Sequence, residues 1–306
     1  NICKLFQKML RKLKKYDMNK VLLNLLEEYK EYQIADENAD YEKTIKYYIY
    51  YIKECFTYLN IKTLKDLKEL NYIKTRQHWL NIKRDEGLSG SSLNVRIVAL
   101  KSFLNYLMGR QIIEFNIASQ IKKYPVNVRS VEVDEDKLKD MLKLVDDNYN
   151  KKPCFATIRD KFIINVLLFV GLRNTELRDI KLSDVNFVNG EFEVTGKYSK
   201  TRGVYLPSNL MKLYREYLSY RNQIEGEEYL FVSVRGRKLD KKTVTTLVKK
   251  ISKEVGIEDY VAHSLRHCCC TLLINSGVPI AEVSIILGHS STNVTLRNYY
   301  EGTRKN

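Results

Sequence analysis

Apolar residues recur at three- and four-residue spacing through most of this chain, in VLLNLLEEYKEYQI at 21–34, TIKYYIYYIKECFTYL at 44–59 and NVRIVALKSFLNYL at 94–107. That period predicts amphipathic helices packed on one another. Turn signals at Asn60 and in GLSGSS at 87–92 break the series into short helices, with Ser91 or Ser92 as the cap of the helix that starts near Leu93. From Ile121 to Asp136 the amphipathic face disappears and a proline intervenes, which predicts an extended linker. Helices then resume at 137–147 and 156–170. The period switches to two in DVNFVNGEFEVTGKYSKTRGVYLP at 184–207. An Asn189-Gly190 turn there predicts a hairpin, and a third strand at 203–206 returns after a loop carrying Lys197 and Lys200. Helices follow at 208–222, 242–255, 264–276, 281–287 and 293–300. The pattern predicts a mainly α chain with a small antiparallel β-sheet, in two domains: an all-helical one over 1–126 and an α+β one over 127–306.

Composition narrows what such a chain does. With 306 residues, 44% of them hydrophobic and 29% charged, it is long enough for two cores and too balanced for disorder. The formal charge is +15, carried by both parts: 23 lysines and arginines against 14 acidic residues up to Val126, and 29 against 23 beyond it. Such a charge points to a polyanion, nucleic acid or an acidic membrane face. The longest apolar run, Phe162–Leu172, is about half of a bilayer span, so a membrane partner is not expected. Six cysteines, three of them consecutive at 268–270, lack the spacing of a zinc site and read as buried small side chains in a reducing cytoplasm. The start of the chain has no secretory h-region or cleavage site, and its first residue, Asn rather than Met, reads as a fragment lacking its true N-terminus.

Three segments of the second part carry chemistry. In GLRNTEL at 171–177 the glycine lets the chain leave a helix left-handed and sets Arg173 near the next helix N-terminus, where an anion is favoured; the plainer reading is a surface pair of Arg173 with Glu176. In HSLRH at 263–267, His263, Arg266 and His267 share one helix face, a crowding of basic groups that suits a bound oxyanion. An arginine on that face argues against zinc, and His267 reads as a packed core histidine. In LGHSSTNVTLRNYYEG at 287–302, His289 stands in a tight turn and Tyr299 follows ten residues later. Two guanidinium groups, a lysine, two imidazoles and a tyrosine suit stabilising phosphate oxygens while an oxygen nucleophile attacks. No cofactor and no metal is expected for that chemistry.

GLRNTEL, the Gly-Lys at 196–197, HSLRH, LGHSS and the late tyrosine, in that order, resemble the tyrosine recombinases, or phage-type integrases. The resemblance is strong over roughly the last 170 residues and looser over SSLNVRIVALKSFLNYL, which is similar to the family's SAM-like core-binding domain. It implies a core-binding domain over 1–126 and a catalytic domain over 127–306. Tyr299 would attack a DNA phosphate to form a 3′-phosphotyrosyl bond, Arg173 and Arg266 would hold its non-bridging oxygens, and His289 would donate to the developing charge. His263 would take the tyrosine proton, Lys197 would protonate the leaving 5′-oxygen, with Lys200 as the substitute, and Glu176 would orient a cation. One position departs: nine residues past the second histidine, where many members place the nucleophile, this chain has Asn298, with Tyr299 and Tyr300 after it. The Val294-Thr295 and Tyr299 ending is similar to integrases of conjugative transposons, which implies integration and excision of a mobile element.

The resemblance further implies a double-stranded DNA partner and a homotetramer built through dimers. The basic helix face around Lys83, Arg84, Asn94, Arg96 and Lys101 in the first part, and Arg235, Arg237, Lys241 and Lys242 in the second, are the expected DNA contacts, against a plain reading as solvated charge. Two alternatives remain at this stage: relaxation of DNA by a type IB topoisomerase, and a DNA-binding accessory protein without catalysis.

Overall fold

The computed structural model describes residues 18–35, 44–126, 133–186, 188–195, 201–258, 260–289 and 291–303. The chain divides into two compact units, Asn1–Asn127 and Val128–Asn306.

The first unit is helical among its described residues. α1 (Lys20–Ala35), α2 (Lys46–Tyr58) and α3 (Leu64–Lys68) precede a continuous helical stretch made of α4 (Tyr72–Thr75), a π-helical turn (Arg76–Asn81) and α5 (Ile82–Asp85); α6 (Gly90–Gly109) closes the series. Their apolar faces bury Leu22, Leu26, Tyr29, Phe56, Trp79, Leu100 and Phe103 in one cluster. At its centre the Glu54 carboxylate accepts from Trp79 Nε1 at 3.1 Å and from Arg96 Nε at 2.7 Å. Ser89, rather than Ser91 or Ser92, caps α6, its hydroxyl accepting from the Ser92 N–H. The expected linker is not uniformly extended: Ile121 and Tyr124 are buried in the first core, and Asp134 caps the next helix, which already contains Glu135 and Asp136.

The second unit begins with α7 (Glu135–Lys151) and α8 (Phe155–Phe169), followed by α9 (Asn174–Asp179). Strands β1 (Val185–Asn186), β2 (Glu191–Thr195) and β3 (Thr201–Tyr205) form an antiparallel sheet in sequence order. Register runs from Glu191 opposite Tyr205 to Thr195 opposite Thr201. α10 (Met211–Arg221), α11 (Lys241–Glu254), α12 (Ala262–Asn275), α13 (Ile280–Leu287) and α14 (Thr292–Thr303) complete it. α8, the apolar run, is buried on every side, and Phe162 sits in an aromatic group with Tyr214, Tyr217 and Phe231 at centroid distances of 5.0–5.8 Å. Its burial contributes about 1.5–3 kcal/mol as a side chain removed from water. No helix of the described residues is long and apolar enough to cross a membrane.

Candidate active site

The site assembles where α8 ends. Gly171 takes φ +68°, so the chain leaves the helix in the left-handed region. A Cβ there would fall 2.4 Å from Leu287 Cδ2 and 3.0 Å from Cys269 Sγ, so any side chain would force Leu287 of α13 and Cys269 of α12 to give way. The turn delivers Arg173 as the N-cap of α9.

Glu176, one turn on, is 3% exposed. Its Oε2 accepts the Arg173 backbone N–H at 2.9 Å and its Oε1 accepts Arg173 Nη1 at 2.5 Å. Arg202 of β3 brings both Nη atoms to the same carboxylate, at 3.0 and 3.1 Å, and Arg266 Nη1 stands 3.7 Å from Oε2. The pair read as a surface contact is therefore the buried centre of a cluster of three arginines. Loss of water alone would raise the Glu176 pKa, but the Arg202 hydrogen bonds, the Arg173 N–H and the two positive charges outweigh it and hold it at about 2. One carboxylate offsets one of three guanidinium charges. The excess is positive, and in a half-buried setting it favours an anion.

Arg266 is 2% exposed, and its donors are fixed by backbone: Nη1 donates to Gly171 O at 2.7 Å and Nη2 to Leu287 O. Burial, then the charge of Arg173, lowers its pKa to about 10 despite Glu176, which leaves it cationic at neutral pH. Arg173 Nη2 donates to Gly288 O at 2.7 Å. Both arginines thus clasp the end of α13, where Gly288 is a left-handed C-cap and His289 follows.

His289 Nδ1 lies 2.7 Å from Thr295 Oγ1, and Thr295 is fully buried. With the threonine hydroxyl donating, Nδ1 is the acceptor and Nε2 carries the proton, free to be offered to an oxyanion. Burial first, then Arg266 and Arg173, lowers its pKa to about 4. His263 stands in the first turn of α12 with its ring edge-on to His267, centroids 4.6 Å apart. Part of the His263 side chain is open to solvent, yet loss of water around the ring, then Arg266 and Arg173, lowers its pKa too. Both imidazoles are neutral at pH 7, as a hydrogen-bond donor and a proton acceptor need to be.

Tyr299 is half-buried on α14, which packs on α12 and α13. It lies one turn beyond Thr295, on the helix face that holds His289. Lys197 and Lys200 lie outside the described residues, as does the side chain of Tyr300; Thr195 and Thr201, paired in the sheet, bracket the segment that carries the two lysines. Sequence reading passed over Arg202 and the part Thr295 plays. A strand arginine that reaches a glutamate in the first turn of a helix leaves no spacing signal.

The expected DNA contacts separate. Arg96 is corrected to a core residue: it is 7% exposed, bound to Glu54 and laid on the Tyr51 ring at 4.4 Å. Asn94 is half-buried, and its amide bonds the Tyr124 backbone through both ends, at 2.9 and 2.7 Å. Lys83 is half-buried against Glu86, Glu54 and Tyr58. Arg84, Lys101, Arg235, Arg237, Lys241 and Lys242 are exposed. The last two begin α11, whose Lys241 carbonyl accepts from Asn174, the neighbour of Arg173. The buried cysteines 268–270 carry no ligand geometry, and no cluster of metal-ligating side chains occurs among the described residues.

Comparison with known proteins gives both parts of the chain a family. Residues 132–305 match the phage integrase family, and residues 26–111 match the phage integrase N-terminal SAM-like domain. The chain is 30% identical over 278 residues to the tyrosine recombinase XerA of Pyrococcus horikoshii, covering 89% of this chain and 87% of that protein. It is 28% identical over 241 residues to the tyrosine recombinase XerC of Corynebacterium glutamicum, covering 78% of this chain and 76% of that protein. Among solved structures, a lambda integrase dimer bound to a core site superposes with a TM-score of 0.72 at 19% identity, over 92% of this chain and 96% of that one. The Tn1549 transposon integrase in complex with a circular intermediate DNA gives 0.69 at 17%, over 90% and 94%. A matched catalytic domain and a relative at this identity over nearly the whole chain make the protein a member of the phage integrase family, a tyrosine site-specific recombinase.

Proposed function

We propose that Tyr299 is the nucleophile with which this recombinase cuts and rejoins DNA for the integration and excision of a mobile element. The observation that carries this reading is the buried arginine cluster on Glu176, tied through Arg173 and Arg266 to the turn that leads into His289. The phenolic oxygen attacks the scissile phosphorus while its proton passes to His263. Arg173 and Arg266 hold the two non-bridging oxygens, where charge grows, and His289 donates from Nε2. Lys197 delivers a proton to the departing 5′-oxygen. The 3′-phosphotyrosyl bond stores the energy of the broken one, so the 5′-hydroxyl of a second strand can reverse the step without ATP.

Exchange between two duplexes needs two cuts in each, hence four copies working as a homotetramer through dimers on the DNA, in the cytoplasm. The solved lambda integrase tetramer bound to a Holliday junction supports that arrangement. Exposed Arg84, Lys101, Arg235, Arg237, Lys241 and Lys242 would supply phosphate contacts along the duplex. The test is a nicked suicide site on which a covalent protein–DNA band accumulates. Tyr299→Phe loses one oxygen and no charge, so it abolishes the band and leaves affinity nearly unchanged. A Tyr299→Phe protein that still becomes covalently attached would transfer the role to Tyr300, and a wild-type protein that only shifts DNA non-covalently would refute the proposal.

A further inference from the structure

Arg202 enters the site from the sheet, as the second residue of β3. Its planar fork makes two near-parallel hydrogen bonds to both oxygens of Glu176, which uses the geometry an arginine has and a lysine lacks. The backbone of Gly288 lies against the same guanidinium: a Cβ built there would fall 2.8 Å from Arg202 Nη1 and 2.9 Å from Cζ and Nε. Gly288 is also the residue whose carbonyl Arg173 grips, and it is followed by His289. One residue before Arg202, Thr201 pairs with Thr195 and closes the ladder at the root of the segment carrying Lys197. A single side chain therefore touches the carboxylate that sets Arg173 and the turn that sets His289, and is rooted beside the lysine segment. Two of its five N–H donors are taken by Glu176, and its side chain is 18% exposed.

We propose that Arg202 is a positioning residue for strand cleavage, locking the β2–β3 hairpin to Glu176 and to the Gly288 turn so that Arg173 and His289 are held in one fixed relation. This inference rests on the tyrosine chemistry proposed above.

The experiment follows covalent adduct formation on the nicked suicide site with wild-type protein, Arg202→Ala, Arg202→Lys, and Arg202→Ala supplemented with guanidinium ion. Loss of registration by ~1 Å costs on the order of 100-fold in rate, so Arg202→Ala should cleave about 100-fold more slowly while binding DNA with nearly wild-type affinity. Arg202→Lys keeps the charge without the fork and should recover only a minor part of the rate. Guanidinium should restore Arg202→Ala in a concentration-dependent way and leave the wild type unchanged, a rescue that a general loss of folding would not show. The acid limb of the pH–rate profile should also move to higher pH, because Glu176 loses its two-point partner. Near wild-type cleavage by Arg202→Ala, or full recovery by Arg202→Lys, overturns the proposal; so does a rate loss matched by an equal loss of DNA affinity. Should Arg202→Ala not fold, a folded Arg202→Lys protein decides by the same rate comparison. Absence of any adduct with wild-type protein would instead strike the underlying tyrosine reading, leaving the two failures distinct.

Discussion

Glu176 shows how one residue can be structural and electrostatic at once. It is buried, yet ionised, because three arginines reach it. Holding its pKa near 2 in the folded chain, against an ordinary 4.5, means the unfolded chain takes up the proton first on acidification. His289, held at about 4 against an ordinary 6.5, acts with the same sign, since the unfolded histidine charges at higher pH. Stability should therefore be full above about pH 6.5, decline as His289 charges between there and about pH 4, with the lowered His263 acting in the same direction, and decline again from about 4.5 to 2 as Glu176 protonates. Melting curves taken across pH check this. His289→Gln should flatten the upper part only, and a wild-type melting temperature constant from pH 7 to 4 would contradict the account.

At the scale of elements, the site depends on one helix end. Gly171 turns left-handed beneath Leu287 and Cys269, and its carbonyl is the anchor for Arg266. Gly171→Ala adds left-handed strain and two collisions, so a loss of about 2–4 kcal/mol in urea unfolding is expected, with slowed cleavage as Arg266 shifts. A stability loss below about 0.5 kcal/mol would mean the helices can part, contrary to their close approach. This glycine was legible in the sequence, because a glycine closing an apolar helix has one common use. So were the helical face of HSLRH and the Asn189-Gly190 turn, which are local signals. The edges of the linker were not, since Tyr124 is held by Asn94, thirty residues away, and a tertiary contact leaves no period. Arg96 misled for a similar reason: an arginine on a basic helix face looks solvated until a buried carboxylate from another helix, Glu54, is set opposite it.

For the whole molecule, positive charge is spread over both units, and the basic positions that remain exposed after the core ones are removed include the start of α11 beside the site. Each phosphate neutralised contributes a slope of about 0.9 in log affinity against log salt. Replacing Lys241 and Lys242 together by alanine should shallow that slope by about 2 and weaken all sequences alike. A parallel salt dependence in the double variant would assign these lysines to solvent.

The three consecutive cysteines run along the helix that supplies Arg266, walled in by α8 and α13, and burial pushes their thiols to between about 11 and 12. Protonated sulfur is a poor nucleophile toward oxidants and alkylating agents. Redox-capable atoms thus stand next to the arginine cluster with their thiols kept protonated by burial, so attack by peroxide is expected only in those moments when the fold breathes.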